Sequence, residues 1–489
     1  LALFGGLSVW CAYSSGGFIE ADGISHFLKR RFAWDNPSYR IDIWARPLCV
    51  WLYMLPAHAF GLMGVRLTSL ALAVLIALLT WRCAVRLELK RAELVVPLLV
   101  FQPLFFMHSC SELTELTFAL VLLGMFWAYM RKQFWLLALL ASIAPLARPE
   151  GFGFLFVAFV AVLLHRRWLS MLLLPLGLAA WSYFGWRQYG SPDAYPWWKW
   201  LAVNWPFSPE SAYGKGTSVF YRATTFLGNL PVIVGPVATP LVFVGAWAIV
   251  RWREAIQSWP RDHAARCAMI VPGLAWGMLV AHTLLWIALA MASAGMARYL
   301  VTVGPFFALL ALAGANWLID AFRIRWPAVW VVAGCLAVIP IHGLWRIYPI
   351  RVLGQQLLAE RTAAWVHDRV DRARYPRLMT SLPGMFYTLD VDEQNAKQSV
   401  PWGIKQIETP EPGVLMVYER ETGSYNASAS SIVPREAIDK AGWVRIGSVY
   451  NEDARRDADG KWISRVEAEV FLSPVDIDGA PTGTAPVAP

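Results

Sequence analysis

Three short polar runs stand out in a chain otherwise dominated by apolar residues. The first is Glu20-Ala21-Asp22-Gly23-Ile24-Ser25-His26, the second His108-Ser109-Cys110-Ser111-Glu112-Leu113-Thr114-Glu115, and the third Arg148-Pro149-Glu150-Gly151. Carboxylates and a histidine beside an apolar stretch can supply a general base, because partial loss of water strengthens a carboxylate as a proton acceptor. For Asp22 the alternative is a helix cap, since Asp favours a helix start and a helix-like run follows it.

Glu115 lies about one turn inside an apolar helix. An acid there costs about 2.5–3.5 kcal/mol to insert, so it must face a cavity or a partner. A functional role is favoured for Glu115, with a structural pair to Arg148 as the alternative. Glu112 stays open between a capping role and a place in the site. Arg148 suits a phosphate, because its planar fork donates several hydrogen bonds at once; a salt bridge to Glu150 or Glu115 is the competing reading. Arg298-Tyr299 opens another apolar run and reads either as a site pair or as an interfacial anchor. Lys29, Arg30 and Arg31 would meet lipid phosphate or anionic headgroups.

What must position these groups is a membrane-embedded scaffold. The chain of 489 residues is 57% hydrophobic and 16% charged, where a soluble domain carries about 25% charged residues. Its 27 Trp and 16 Tyr suit membrane–water boundaries. The net charge of +9 does not point to nucleic acid, because the Lys and Arg fall mainly between apolar stretches. The six cysteines lie in or beside apolar segments, none after Cys335 and none as a CxxC pair; neither a zinc site nor a disulfide framework follows. No phosphate-binding P-loop, nucleophile elbow, zinc-protease helix or dinucleotide fingerprint occurs in a suitable context.

A span needs about 20 mostly apolar residues. Windows of this kind run over 1–17, 63–85, 93–111, 113–130, 134–147, 152–164, 168–186, 229–250, 267–290, 299–319 and 327–345, giving about eleven spans. The fifth and sixth are short and could be a re-entrant or tilted pair. A signal peptide is the alternative reading of 1–17. Alternate gaps hold Arg82, Arg86, Lys90 and Arg91; Arg131 and Lys132; Arg166 and Arg167; Arg251, Arg253, Arg261 and Arg266; Arg323 and Arg325. Threaded alternately, all of these gaps share one side, which basic loops mark as cytoplasmic. The polar runs fall on the other side. Residues 47–62, broken by Pro56, read as a helix in the outer interface. The loop 187–228, with Trp198 in the aromatic run at 195–200, suits a flap or a wall for sugar rings. From about 352 the composition is water-soluble: a helix over 355–373, then strands at 377–382, 414–420, 443–450 and 466–473. The expected organisation is a helical membrane module over 1–350, a small extracytoplasmic α/β domain over 351–476 and a disordered tail over 477–489.

The order of these pieces resembles the GT-C superfamily of integral membrane glycosyltransferases, which use polyprenyl- or dolichyl-phosphate sugars. The resemblance is carried by Glu20 and Asp22 after the first span, Trp44-x-Arg46-Pro47, Arg66-Leu67, Thr114-Glu115, and Ala147-Arg148-Pro149-Glu150-Gly151. Tyr189-Gly190-Ser191-Pro192 and Arg298-Tyr299-Leu300 complete it. It covers 1–345 and implies a polytopic helical fold, mannosyltransferase-like, acting at the bacterial inner membrane with its site facing the periplasm or exterior. It also implies an inverting transfer of a hexose or pentose from a polyprenyl-phosphate donor to a hydroxyl of a glycan, lipid or protein.

By the resemblance Asp22 is the base, with Glu20 in reserve and Glu115 a candidate second carboxylate. Arg148, Arg298, Lys215 and Arg30 would neutralise the leaving phosphate. His26, His108, Glu112, Glu150, Tyr299 and Trp198 would line the substrate site. Many members carry Asp-Glu where this chain has Asp22-Gly23, which leaves the second carboxylate open. No cofactor is implied, and a divalent metal is not expected. A transporter or lipid-linked-glycan flippase, or an inactive glycan-binding relative, are the alternatives. Against the transporter, the polar groups gather at one interface rather than at the midplane of two related halves.

Overall fold

The structure is a computed structural model. It describes residues 1–15, 21–190, 216–250, 262–291, 293–324, 330–331, 333–335, 355–419, 433–450 and 467–482. The chain divides into two compact units. One comprises Leu1–Ser15 and Lys29–Pro349, the other Gly16–Leu28 and Ile350–Pro489.

The first unit is built from apolar helices. Pro47–Arg86, Trp168–Tyr189, His263–Ile287 and Ala297–Phe322 are each long and apolar enough to cross a bilayer, and Val219–Val234 with Ala238–Ile249 makes a pair bent by 110°. Ala2–Ser14, Glu115–Met130, Phe134–Ala147 and Gly151–Leu164 are apolar but shorter. At 1.5 Å per residue, fourteen residues rise only about 21 Å, short of a hydrocarbon core of about 30 Å. Among the described residues four helices, or up to five with the bent pair counted as one span, have the length and composition of a full crossing. The run at 93–111 is a broken element, Val95–Val100 and Pro103–His108, separated where Pro103 starts a new helix. Most of 327–345 lies outside the described residues.

The expected division between an interfacial 47–62 and a span from 63 corresponds to a kink. Gly61 adopts φ 59° and ψ −145° inside Pro47–Arg86, a conformation that glycine tolerates and side chains resist.

Close backbone contact organises the centre. A Cβ on Gly245 would stand 1.9 Å from the Leu310 carbonyl oxygen, and one on Gly314 would stand 2.1 Å from that of Leu241. The helices Ala238–Val250 and Gly304–Phe322 therefore approach through hydrogen-only positions, as membrane helices do where small residues face each other. Gly304–Phe322 is nearly enclosed, with Phe306, Phe307 and Leu310 fully buried.

In the second unit, strands β1 (Arg377–Thr380), β2 (Val414–Glu419), β3 (Val444–Tyr450) and β4 (Glu467–Leu472) fall on the four expected runs. Their order is β1-β2-β4-β3, with β1 parallel to β2 and the other pairs antiparallel. The continuous apolar run of β2 is explained by burial on both faces. Leu415 and Val417 join the core that also holds Leu358 and Val366 of helix Gln355–Arg369. Met416 and Tyr418 join the opposite core with Trp443 and Phe471. Residues 16–28, which the sequence placed with the membrane module, cluster with this unit; Phe27 meets Tyr387 edge-on at 5.5 Å between ring centroids.

Candidate active site

Two helix ends meet in the first unit. The Pro103–His108 helix stops at Ser109, where the Ser109 hydroxyl donates to the Phe106 carbonyl at 2.7 Å. The chain then turns through 109–114 and re-enters a helix at Glu115. A carboxylate in a helix's first turn sits favourably against the unpaired N–H groups there. Phe134–Ala147 ends at Arg148, whose extended backbone (φ −157°, ψ 156°) breaks the helix before Glu150 leads into Gly151–Leu164.

Arg148 binds both acids. Its Nη1 donates to Glu115 Oε1 at 2.8 Å and to Thr114 Oγ1 at 3.2 Å. Its Nη2 donates to Glu150 Oε1 at 3.0 Å, and Nε reaches both Glu150 oxygens at 3.2 Å. The two pairings set against phosphate binding are thus present together. Buried charges persist only when paired this closely; Glu115 is 2% exposed and Arg148 8%.

Further groups surround this core. Arg298 Nε stands 3.6 Å from Glu115 Oε1. His108 Nε2 is 3.9 Å from Glu115 Oε2, and His282 Nε2 is 3.7 Å from Glu150 Oε1. Tyr299 lies under the Arg148 guanidinium at 5.5 Å and beside the His282 ring at 5.2 Å.

A second network braces the same loop. Arg66 Nε donates to Glu112 Oε1 at 2.7 Å, and its Nη1 donates to the carbonyls of Ala12 and Ser15 at 2.9 and 2.6 Å. Glu112 is therefore held in a fully enclosed ion pair. Arg30, with no exposed surface, donates through Nη1 to the Glu112 carbonyl and stacks on Tyr53 at 4.2 Å. Its Nε and Nη2 have no hydrogen-bond partner among the described residues. The basic run that looked uniform is thus divided: Lys29 pairs with Asp42 at 3.0 Å, and Arg31 donates to the His58 carbonyl at 3.0 Å.

The structure brings together Glu115, Arg148, Glu150, His108, Arg298 and Tyr299 from three separate stretches of sequence. Asp22 and His26 lie on helix Ala21–Phe32, Asp22 half-buried in its first turn and His26 buried. Glu20, Lys215 and Trp198 lie outside the described residues. Sequence reasoning did not find His282, although an isolated histidine in an apolar span was a signal for it. It gave Arg66 no role beyond a motif position. Among the described residues no group of three or more His, Cys, Asp or Glu side chains is arranged to hold a metal ion.

The fold that carries this buried ion network is one seen in solved structures. It is similar to the crystal structures of ArnT from Cupriavidus metallidurans in the apo state and bound to undecaprenyl phosphate. For each the TM-score is 0.54 and the identity 14%, over 96% of this chain and 97% of that one. The chain matches no family profile and no curated protein sequence.

Proposed function

We propose that this protein is a multi-pass membrane glycosyltransferase that moves a sugar from a polyprenyl-phosphate carrier to an acceptor hydroxyl. The observation that carries this reading is the fold shared over nearly the full length of ArnT, a protein crystallised with undecaprenyl phosphate. The buried cations fit the role. Arg30 has two guanidinium nitrogens without a hydrogen-bond partner among the described residues, and Arg298 stands at the edge of the Glu115–Arg148 network.

In the proposed reaction Asp22, the base assigned by resemblance, accepts the acceptor's hydroxyl proton. The hydroxyl oxygen attacks the anomeric carbon, the bond from that carbon to the phosphate oxygen breaks, and polyprenyl phosphate leaves with its electron pair. One displacement inverts the anomeric centre. Arg30 and Arg298 offset charge on the leaving phosphate, while Arg148, already engaged by Glu115 and Glu150, positions the carboxylates. The step needs no metal or other cofactor. The site is assigned to the extracytoplasmic face of a bacterial inner membrane, by the basic loops on the opposite side.

The test is an assay of membranes or proteoliposomes holding the protein, supplied with radiolabelled polyprenyl-phosphate mannose, glucose and arabinose. The proposal expects label in an acceptor together with released polyprenyl phosphate. Label that crosses the bilayer still attached to its lipid carrier indicates a flippase instead.

A further inference from the structure

A cavity of about 500 Å³ lies between the helices Ala238–Val250 and Gly304–Phe322 and the turn that follows Pro47–Arg86. Its size is in the range that holds small ligands. Trp247 and Trp317 meet edge to face, with ring centroids 4.9 Å apart, and both line the cavity with the small side chains of Ala248 and Ala313. The turn supplies Glu88, whose backbone is left-handed (φ 57°), and Lys90.

Side chains fasten this turn to the helix. Asn316 Nδ2 donates to the Lys90 carbonyl at 2.6 Å, and Arg91 Nη1 donates to Asn316 Oδ1 at 3.0 Å. Lys90 and Arg91 both reach Asp320, at 2.7 and 3.3 Å, so that acid is already neutralised. Glu88 is exposed and has no ion-pair partner among the described residues. Asn316 stands about 18 Å along Gly304–Phe322 from its start, and Arg298 precedes that start. The cavity therefore lies at the far end of this helix from the Arg148 network. Trp247 and Trp317 are exposed there, as indoles are at a membrane–water boundary.

We propose that this cavity holds the headgroup of a phospholipid that carries a primary ammonium, the phosphoethanolamine class. Its ammonium donates to the Glu88 carboxylate, its phosphate meets the Lys90 ammonium, and its glycerol carbons lie against Trp247 and Trp317. Acid, cation and indoles in one cavity at headgroup level match the three parts of such a lipid. A quaternary ammonium has no N–H to give Glu88, and a purely anionic headgroup sets a like charge beside it. The assignment does not depend on the reaction proposed above; it gives the protein a lipid site separate from the one where chemistry occurs.

The experiment titrates purified full-length protein in detergent with phosphatidylethanolamine, phosphatidylcholine and phosphatidylglycerol, and reads bound lipid by native mass spectrometry. Wild-type protein is expected to bind phosphatidylethanolamine most tightly. Glu88→Gln, at an exposed position, should weaken that lipid about fivefold, the scale of an exposed ion pair, and leave phosphatidylglycerol unchanged or slightly tighter. Ala313→Leu, which fills the cavity with a good helix former, should bring phosphatidylethanolamine down to the level of the other two; its melting temperature without added lipid confirms that it is folded. Phosphatidylcholine or phosphatidylglycerol bound by the wild type as tightly as phosphatidylethanolamine overturns the assignment. So does Glu88→Gln that weakens all three lipids alike or none of them, and so does folded Ala313→Leu that binds as the wild type does.

Discussion

Arg148 and Glu115 form a buried, charge-assisted hydrogen bond of 2.8 Å that joins the end of one apolar helix to the start of another. Glu150, half-buried, takes the other edge of the same guanidinium, so one cation serves two acids. The geometry gives Arg148 a positioning role whatever touches the substrate, and it makes the site sensitive to changes that do not alter any reacting group.

Replacing Arg148 by Ala leaves Glu115 and Glu150 without their main partner. Breaking a buried pair costs about 3–5 kcal/mol, so thermal melting in detergent should show a large loss of stability. Adding Glu115→Gln to Arg148→Ala should restore part of it. A double variant no more stable than Arg148→Ala alone would contradict the pairing.

The Arg66–Glu112 pair is enclosed on both sides and braces the 109–114 turn through the Ala12 and Ser15 carbonyls. Arg66→Leu should destabilise by about 3–5 kcal/mol, and Arg66→Leu with Glu112→Leu by clearly less, because no lone charge remains. Melting temperatures of the three proteins check this.

Gly314→Val should disrupt the contact of Ala238–Val250 with Gly304–Phe322, because even a Cβ at Gly314 stands 2.1 Å from the Leu241 carbonyl oxygen. Loss of folded protein in size-exclusion profiles is the expected result. Gly273→Ala, where a Cβ meets nothing within 4 Å, serves as the tolerated control, since alanine suits a helix at least as well as glycine.

Much of this arrangement was legible in the sequence. The strands of the second unit were read from their apolar runs, because a sheet buried on both faces leaves a signal that turns and Gly/Pro breaks delimit. Glu115 and Arg148 were found because a charge inside an apolar window is conspicuous. Span lengths were less legible, since hydropathy cannot distinguish a full crossing from the broken element at Val95–His108 or from a fourteen-residue helix. The lone His282 in its apolar span was a signal passed over; its partners Glu150 and Tyr299 come to it only through tertiary contact.

Chelation separates the metal-free reaction from one that depends on a divalent cation. Transfer in the proteoliposome assay should be unchanged after EDTA treatment, and added magnesium or manganese should not raise it. Activity abolished by EDTA and restored by a cation would contradict the step as written.

The most direct measurement is transfer of radiolabelled sugar from its polyprenyl-phosphate carrier by wild-type protein and by Asp22→Asn, with binding of undecaprenyl phosphate measured in parallel. The account predicts that Asp22→Asn lowers the transfer rate about 10²–10⁴-fold while lipid binding is kept. Equal transfer by the two proteins, or no transfer by the wild type from any polyprenyl-phosphate sugar, would contradict it.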